Sequence, residues 1–286
     1  MYEIILDTLK DGVRLLPFLL ITYIIMEYME HKMSAHTRHM VQASGRFGPL
    51  IGSIAGIFPQ CGFSAAAASF YAGRVISRGT LIAIFLSTSD EMLPVLISQK
   101  VPVNFIVSIL GMKVVIGIAA GFLVDLVFSV VKKEPKAEMD IHHMCEHDHC
   151  HCEGENSLFK SAVVHTVQIF FFILLVSFIL NIVISIIGRD SLSQMILNRP
   201  VIGAVLSGIV GLIPNCASSV VITQLYLDGA MSLGSMMAGL LVGAGVGLIV
   251  LYKSNDSMRE NLRITGLLYV IGVGAGIAID FLGITL

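Results

Sequence analysis

Charge is scarce in this sequence. Only 13% of its 286 residues are charged against 55% hydrophobic, and the mean hydropathy is +0.85. So little polar surface cannot cover a soluble globule, which places the chain among polytopic helical membrane proteins. A net charge of -2, with no basic stripe and no interleaved aromatics, gives nucleic acid nothing to bind. Five cysteines do not suggest a disulfide scaffold. A cleavable signal peptide is not expected, because the first apolar stretch opens with Asp7, Lys10, Asp11 and Arg14 and no small-residue cleavage site follows. Neither a Walker-type Gly-rich Lys loop nor a soluble domain is present, so nothing points to nucleotide-driven pumping.

What is present is organised around a polar, helix-breaking knot, Gly56-Ile57-Phe58-Pro59-Gln60-Cys61-Gly62-Phe63-Ser64, between two short apolar runs. It recurs 155 residues on as Gly211-Leu212-Ile213-Pro214-Asn215-Cys216-Ala217-Ser218-Ser219. The same register pairs Tyr71 with Tyr226, Ser77 with Ser232, Gly79 with Gly234, Gly121 with Gly276 and Asp125 with Asp280. Chance similarity between Leu/Ile/Gly-rich segments would not recover Pro, Cys, Tyr and Asp in one unbroken register. The chain therefore reads as two copies of one unit. Residues 1–131 form the first transmembrane repeat, 132–157 a linker and 158–286 the second repeat.

The runs flanking the first knot, about Phe47 to Phe58 and Phe63 to Ile76, are each roughly 18 to 21 Å long as helices, short of the ~30 Å hydrocarbon core. Two short helices folded back as a re-entrant hairpin would explain both lengths; one long helix broken at mid-membrane is the alternative. Basic residues separate the two, because a hairpin returns the chain to the side it came from. Hairpins in both halves put twelve basic residues inside (Lys32, Arg38, Arg46, Arg74, Arg78, Lys132, Lys133, Lys136, Lys160, Lys253, Arg259 and Arg263) and four outside (Lys10, Lys100, Arg189 and Arg199). Ten segments crossing individually would give the same sidedness.

The expected fold is thus all-α and polytopic, with two inverted repeats of about five helical segments each, about ten in total, whose broken helices or hairpins meet at the midplane. N- and C-termini fall outside and the linker in the cytoplasm, as expected for a multi-pass protein of a prokaryotic inner or plasma membrane. Secondary transporters hold substrate where such broken helices meet.

Thr80 to Ser98 reads as a membrane segment interrupted by Ser87-Thr88-Ser89-Asp90-Glu91. Adjacent carboxylates there cost about 2.5 to 3.5 kcal/mol each on insertion scales, so they should face a cavity, a partner or a bound cation. The second repeat has Gly243-Ala244-Gly245-Val246-Gly247 at that place, offering backbone carbonyls and close approach instead of charge. Asp125 and Asp280 read as helix-packing or interfacial carboxylates. Lys113 either pairs with Asp90 or Glu91 in the empty state or snorkels to the interface.

The candidate transport site combines the Gln60 and Asn215 amides, the Cys61 and Cys216 thiols, the Ser64, Ser218 and Ser219 hydroxyls, and the Asp90 and Glu91 carboxylates. Carboxylate and amide oxygens suit Mn2+, whereas paired thiols favour Zn2+, Cd2+ or trivalent arsenic; the thiols are equally readable as packing residues. Glu27, Lys113 and His165 are candidates for coupling. The linker holds five of the nine histidines and three of the five cysteines. Its His142, His143, Cys145, His147, His149, Cys150, His151 and Cys152 suit a flexible metal-collecting arm, or a variable linker that binds metal incidentally.

These residues resemble a known family, the ten-transmembrane heavy-metal exporters, also labelled arsenic-efflux-like permeases or manganese transporters. The resemblance rests on Pro59-Gln60-Cys61-Gly62 with Pro214-Asn215-Cys216, on Ser87 to Glu91, and on the His-rich central stretch. It implies efflux of a divalent metal, with manganese the preferred label and arsenicals an older one.

The expectation is then a secondary transporter, not an enzyme, with no permanently bound cofactor. It would export Mn2+, or Zn2+, Co2+ or Cd2+, by proton or cation antiport, with membrane lipid and the ion as partners, no nucleic acid, and a homodimer left open. Two further readings remain: a cation-coupled organic anion symporter, with helix N-termini at the substrate, and an intramembrane enzyme with Cys61 or Cys216 as nucleophile and His165 as base. Paired cysteines at duplicated positions fit a shared binding site better than a single nucleophile.

Overall fold

The computed structural model describes residues 47–57, 61–89, 92–131 and 200–284, with scattered helical positions between 13 and 24 and between 163 and 178. Among the described residues every regular element is a helix. The first repeat contributes α1 (Gly48–Gly56), α2 (Cys61–Ala72), α3 (Arg78–Ser87), α4 (Met92–Ser98) and α5 (Val103–Val131). The second contributes α6 (Pro200–Gly211), α7 (Cys216–Leu227), α8 (Leu233–Val242), α9 (Val246–Ser254) and α10 (Met258–Phe281). Cys61 and Cys216, Arg78 and Leu233, and Val103 and Met258 open equivalent helices at one spacing, so the repeat in sequence is a repeat in structure.

Local chemistry sets these boundaries twice over. Ser77 caps α3 by accepting the Thr80 N–H at 3.0 Å, and Ser232 caps α8 by accepting the Ser235 N–H at 3.2 Å. Each serine donates in turn to an aspartate on the long helix, Ser77 to Asp125 at 2.7 Å and Ser232 to Asp280 at 2.6 Å. Each aspartate also accepts the first-turn amide, from Gly79 and from Gly234, both at 2.8 Å. Asp125 and Asp280 are thus packing carboxylates that close two helix N-termini, where a negative charge suits the helix dipole.

The glycines fix how the helices run. A Cβ on Gly48 would meet Thr80, one on Gly52 would meet Ile84 and one on Gly56 would meet Ser87, so α1 and α3 lie side by side and parallel. The chain therefore returns, along α2, to the level at which α1 began. Gly117 and Gly121 sit against Ala83, and Gly121 also against Gly79, so α5 runs antiparallel to α3 and begins at the opposite end of the molecule. Without side chains at these points the backbones approach closely, the mode of association open to helices that lipid gives no hydrophobic reason to meet.

The halves exchange contacts reciprocally. α2 packs on α9, and its repeat-mate α7 packs on α4, the mate of α9. One core spans both halves, including Leu81, Phe85, Leu86, Met92, Met236, Leu240 and Leu251. Among the described residues four continuous or broken helical spans are long and apolar enough to cross a membrane. Of these, Leu233–Ser254 is 94% buried inside the protein and Val103–Ser129 only 28%, so α8 with α9 is central and α5 peripheral. Val107, Val115, Leu123 and Leu126 line the exposed side of α5, as a lipid-facing helix requires.

Both broken spans interrupt where the sequence predicts. α3 ends at Ser87 with Thr88 out of helical geometry, and α8 ends at Val242 with Gly245 at φ 53° ahead of α9. α10 begins at Met258 with a polar first turn, beside which Asn255 and Asn261 hydrogen bond across the corner.

That first turn carries Glu260, which joins the two halves. It accepts bonds from Tyr71 Oη, from Arg74 Nη1 and Nη2 at 3.2 Å each, and from Arg78 Nη2 at 2.7 Å. Burial works against the charged form of Arg74, but its bonds and Coulombic attraction to Glu260 outweigh this and hold its pKa above the ordinary value. At the equivalent place in the other half, Tyr226 stacks on Phe105 with centroids 5.7 Å apart. Arg74 has a left-handed φ of 57° where its repeat-mate Gly229 has 71°, so the ion pair holds an arginine in a conformation that glycine adopts freely.

Gly79→Ala drives a Cβ into the Gly121 carbonyl and the Asp125 carboxylate, neither of which can move without uncapping α3. It should lower stability by about 1–3 kcal/mol. Gly111→Ala points into open space and should be neutral or gain up to about 1 kcal/mol. Thermal unfolding of the two variants in detergent, followed by circular dichroism, checks the contrast.

Candidate functional site

The two knots and the two breaks converge. Ser89, just past the end of α3, donates to the Ile57 carbonyl at 2.6 Å and so ties the first break to the first knot. Gly247, at the start of α9, lies where a Cβ would stand 2.8 Å from Ser64 Cβ and from Phe85, which brings the second break against the first knot's helix. Gly211, ending α6, abuts Gly239 of α8 in the same way. Ser218, in the first turn of α7, donates to the Asn215 carbonyl at 2.7 Å and closes the second knot on itself.

Between these elements lies a small cavity of about 10 Å3 lined by Thr88, Ser89, Lys113, Ser218, Ser219, Gly239, Leu240 and Gly243. That is space for roughly one water molecule or a bare ion. Its walls come from both repeats and combine hydroxyls with backbone carbonyls.

Lys113 rises into this junction from the middle of α5. It is 1% exposed, and its Nζ donates to the Thr88 carbonyl and, at 2.7 Å, to the Leu240 carbonyl. It does not snorkel. The helix offers its stem an apolar environment, and carbonyls at the ends of two interrupted helices satisfy its charge more directly than the distant interface could.

Of the residues expected at the site, Ser218 and Ser219 line the cavity, Ser64 is buried against the second break, and Asn215 is buried in the second knot. Cys61 and Cys216 open α2 and α7, with their side chains outside the described residues. Gln60, Asp90 and Glu91 also lie outside them, as do Glu27, His165 and His142, His143, Cys145, His147, His149, Cys150, His151 and Cys152 of the linker. Among the described residues no three of His, Cys, Asp or Glu come together as metal ligands. Sequence reasoning did not select Thr88, Ser89 or Leu240 as site residues; Thr88 and Leu240 contribute backbone oxygens, for which residue type gives no signal.

Broken spans meeting at a small polar junction inside an apolar core define a multi-pass membrane protein. The chain belongs to the family described as "Putative, 10TM heavy-metal exporter", whose profile matches residues 1–199. The second knot lies beyond the matched residues. No curated protein matches the chain, and no solved structure does.

Gly247→Ala places its Cβ on Ser64 and Phe85 at the junction. It should cost about 1–3 kcal/mol by overpacking, whereas Gly266→Ala, whose site is open, should cost little. Unfolding midpoints of the two variants in detergent test this.

Proposed function

We propose that the chain exports a divalent transition-metal cation, Mn2+ in the first place, by alternating access of two inverted repeats. The observation that carries this reading is the junction itself: hydroxyls and carbonyls from both repeats around a space of about 10 Å3. Oxygen donors suit a hard cation, and a space of that size takes an ion but not an organic anion. The two readings set aside are efflux of arsenicals or another heavy metal, and cation-coupled symport of an organic anion.

Inversion has support in the contacts. α10 begins beside Tyr71 and Arg78, where α3 also begins, whereas its mate α5 begins at the far end, where Phe105 meets Tyr226. Arg74, Arg78, Arg259, Arg263 and Lys253 gather toward the first of these ends, which the positive-inside rule makes cytoplasmic. On that reading the termini are outside and the His/Cys linker gathers metal in the cytoplasm. The ends also differ in closure. Glu260 with Tyr71, Arg74 and Arg78 fills the cytoplasmic one, while Gln99, Lys100, Asn104, Phe105, Ser108 and Tyr226 line a groove of about 590 Å3 at the other.

In the mechanism, Asp90 and Glu91 neutralise the ion, Gln60 and Asn215 complete its shell from the knots, and Cys61 and Cys216 tune softness. Ser64, Ser218 and Ser219 supply hydroxyls. Exit of a cation against a negative-inside potential costs about 2.3 kcal/mol per charge per 100 mV, so antiport of protons or another cation drives it. Proton carriage falls to Asp90 or Glu91, with Glu27 and His165 as further candidates.

Flux of Mn2+, Zn2+, Co2+, Cd2+ and arsenite in proteoliposomes tests the proposal. One divalent ion should move in the wild type, and Asp90→Asn with Glu91→Gln should abolish that flux. No movement of any metal would discard the reading.

A further inference from the structure

Lys113 is present once, although the fold is built twice. Its repeat-mate is Leu268, completely buried at the same place on α10. The second repeat thus builds its long helix and packs it against α8 with an apolar side chain there. Helix packing does not call for an ammonium at this position; the junction does.

The position of the charge is informative. Its two identified acceptors are a carbonyl just past α3 and a carbonyl in the last turn of α8, one from each repeat. Carbonyls at helix ends lack intrahelical partners and carry the negative end of the helix dipole. In an apolar core they must be satisfied by something positive or hydrogen-bonding. They are also the oxygens that an ion in the adjoining cavity would use, and Thr88 and Leu240 line that cavity together with Lys113.

We propose that the Lys113 ammonium is a tethered stand-in for the transported cation. It holds the junction's carbonyls while cargo is absent and is displaced when cargo enters. The two occupancies compete, because the ammonium and an ion would draw on the same carbonyl oxygens and two positive charges so close repel each other. The carrier can then reorient after release without exposing bare carbonyls to an apolar surround, and needs no second ion at that point. This inference rests on the metal-transport reading and adds to it a reason why net efflux and exchange should separate.

The test compares net Mn2+ efflux with Mn2+/Mn2+ exchange in proteoliposomes of wild type, Lys113→Gln and Lys113→Ala, alongside Mn2+ binding in detergent. Lys113→Gln should lose net efflux by about tenfold or more yet keep exchange, which never passes through the empty carrier. Its Mn2+ affinity should rise by about tenfold, since the competing state is gone. Methylammonium or propylammonium should restore net efflux in Lys113→Ala. A structural lysine predicts neither the tighter binding nor the rescue. If the wild type moves Mn2+ but Lys113→Gln loses efflux and exchange equally, or loses neither, the inference fails alone. Variants that no longer fold would make Lys113 a structural cation and overturn it as well. A wild type that moves no metal defeats the transport reading, and the inference with it.

Discussion

Every interruption of a membrane helix frees backbone carbonyls and amides that hydrocarbon cannot satisfy, and this constraint organises the molecule. The chain breaks between Gly56 and Cys61, between Ser87 and Met92, between Gly211 and Cys216 and between Val242 and Val246. All four breaks are brought to one interior region, where they answer one another. Ser89 serves the carbonyl of Ile57, Ser218 serves that of Asn215, and the Lys113 ammonium serves those of Thr88 and Leu240. The same groups that make the breaks tolerable also line the small cavity between them. On the transport reading, stability and function therefore draw on one set of atoms, as expected when irregular backbone is allowed only where protein or a polar cavity surrounds it.

Around that junction the architecture is duplicated closely where packing governs it and diverges where chemistry does. The serine–aspartate caps of α3 and α8 agree to within 0.1 Å in their side-chain bonds, 2.7 Å against 2.6 Å. The contacts of Gly121 with Gly79 and Ala83 recur in those of Gly276 with Gly234 and Ala238. By contrast, Glu260 with its tyrosine and two arginines replaces the stacked Phe105 and Tyr226, and Lys113 replaces Leu268. On the inverted-repeat reading, a repeat with equal ends would have no preferred orientation in a membrane and no reason to rest in one state over its mirror. Concentrating charge at one end supplies a basis for orientation, and a single ammonium at the centre breaks the symmetry of the site.

Much of this architecture is legible in the residue types themselves. Pro59 and Pro214, the Ser87 to Glu91 segment and the Gly243 to Gly247 run mark the breaks because proline, clustered polar residues and glycine act on their own backbone. The register of the repeat, and from it the pairing of Asp125 with Asp280, follows from the letters alone. The start of α10 is not legible in this way, since Met258 to Asn261 has the composition of a polar connection, and what makes it helical is the bonding of Asn255 and Asn261 across the corner.

By itself the sequence determined the membrane class, the two-fold duplication, the places where helices stop, and the polar residues Ser64, Asn215, Ser218 and Ser219 near the junction. These are local properties, set by hydropathy, by helix-breaking residues and by spacing. Only the tertiary structure decided that Lys113 turns inward to carbonyls and not outward to the interface. It also decided that Glu260 bridges 189 residues to Tyr71, and that α2 packs on α9 while α7 packs on α4. The physical reason is the same in each case. The partner is a backbone oxygen or a residue distant in the chain, and neither leaves a mark on the residue types beside the group it satisfies.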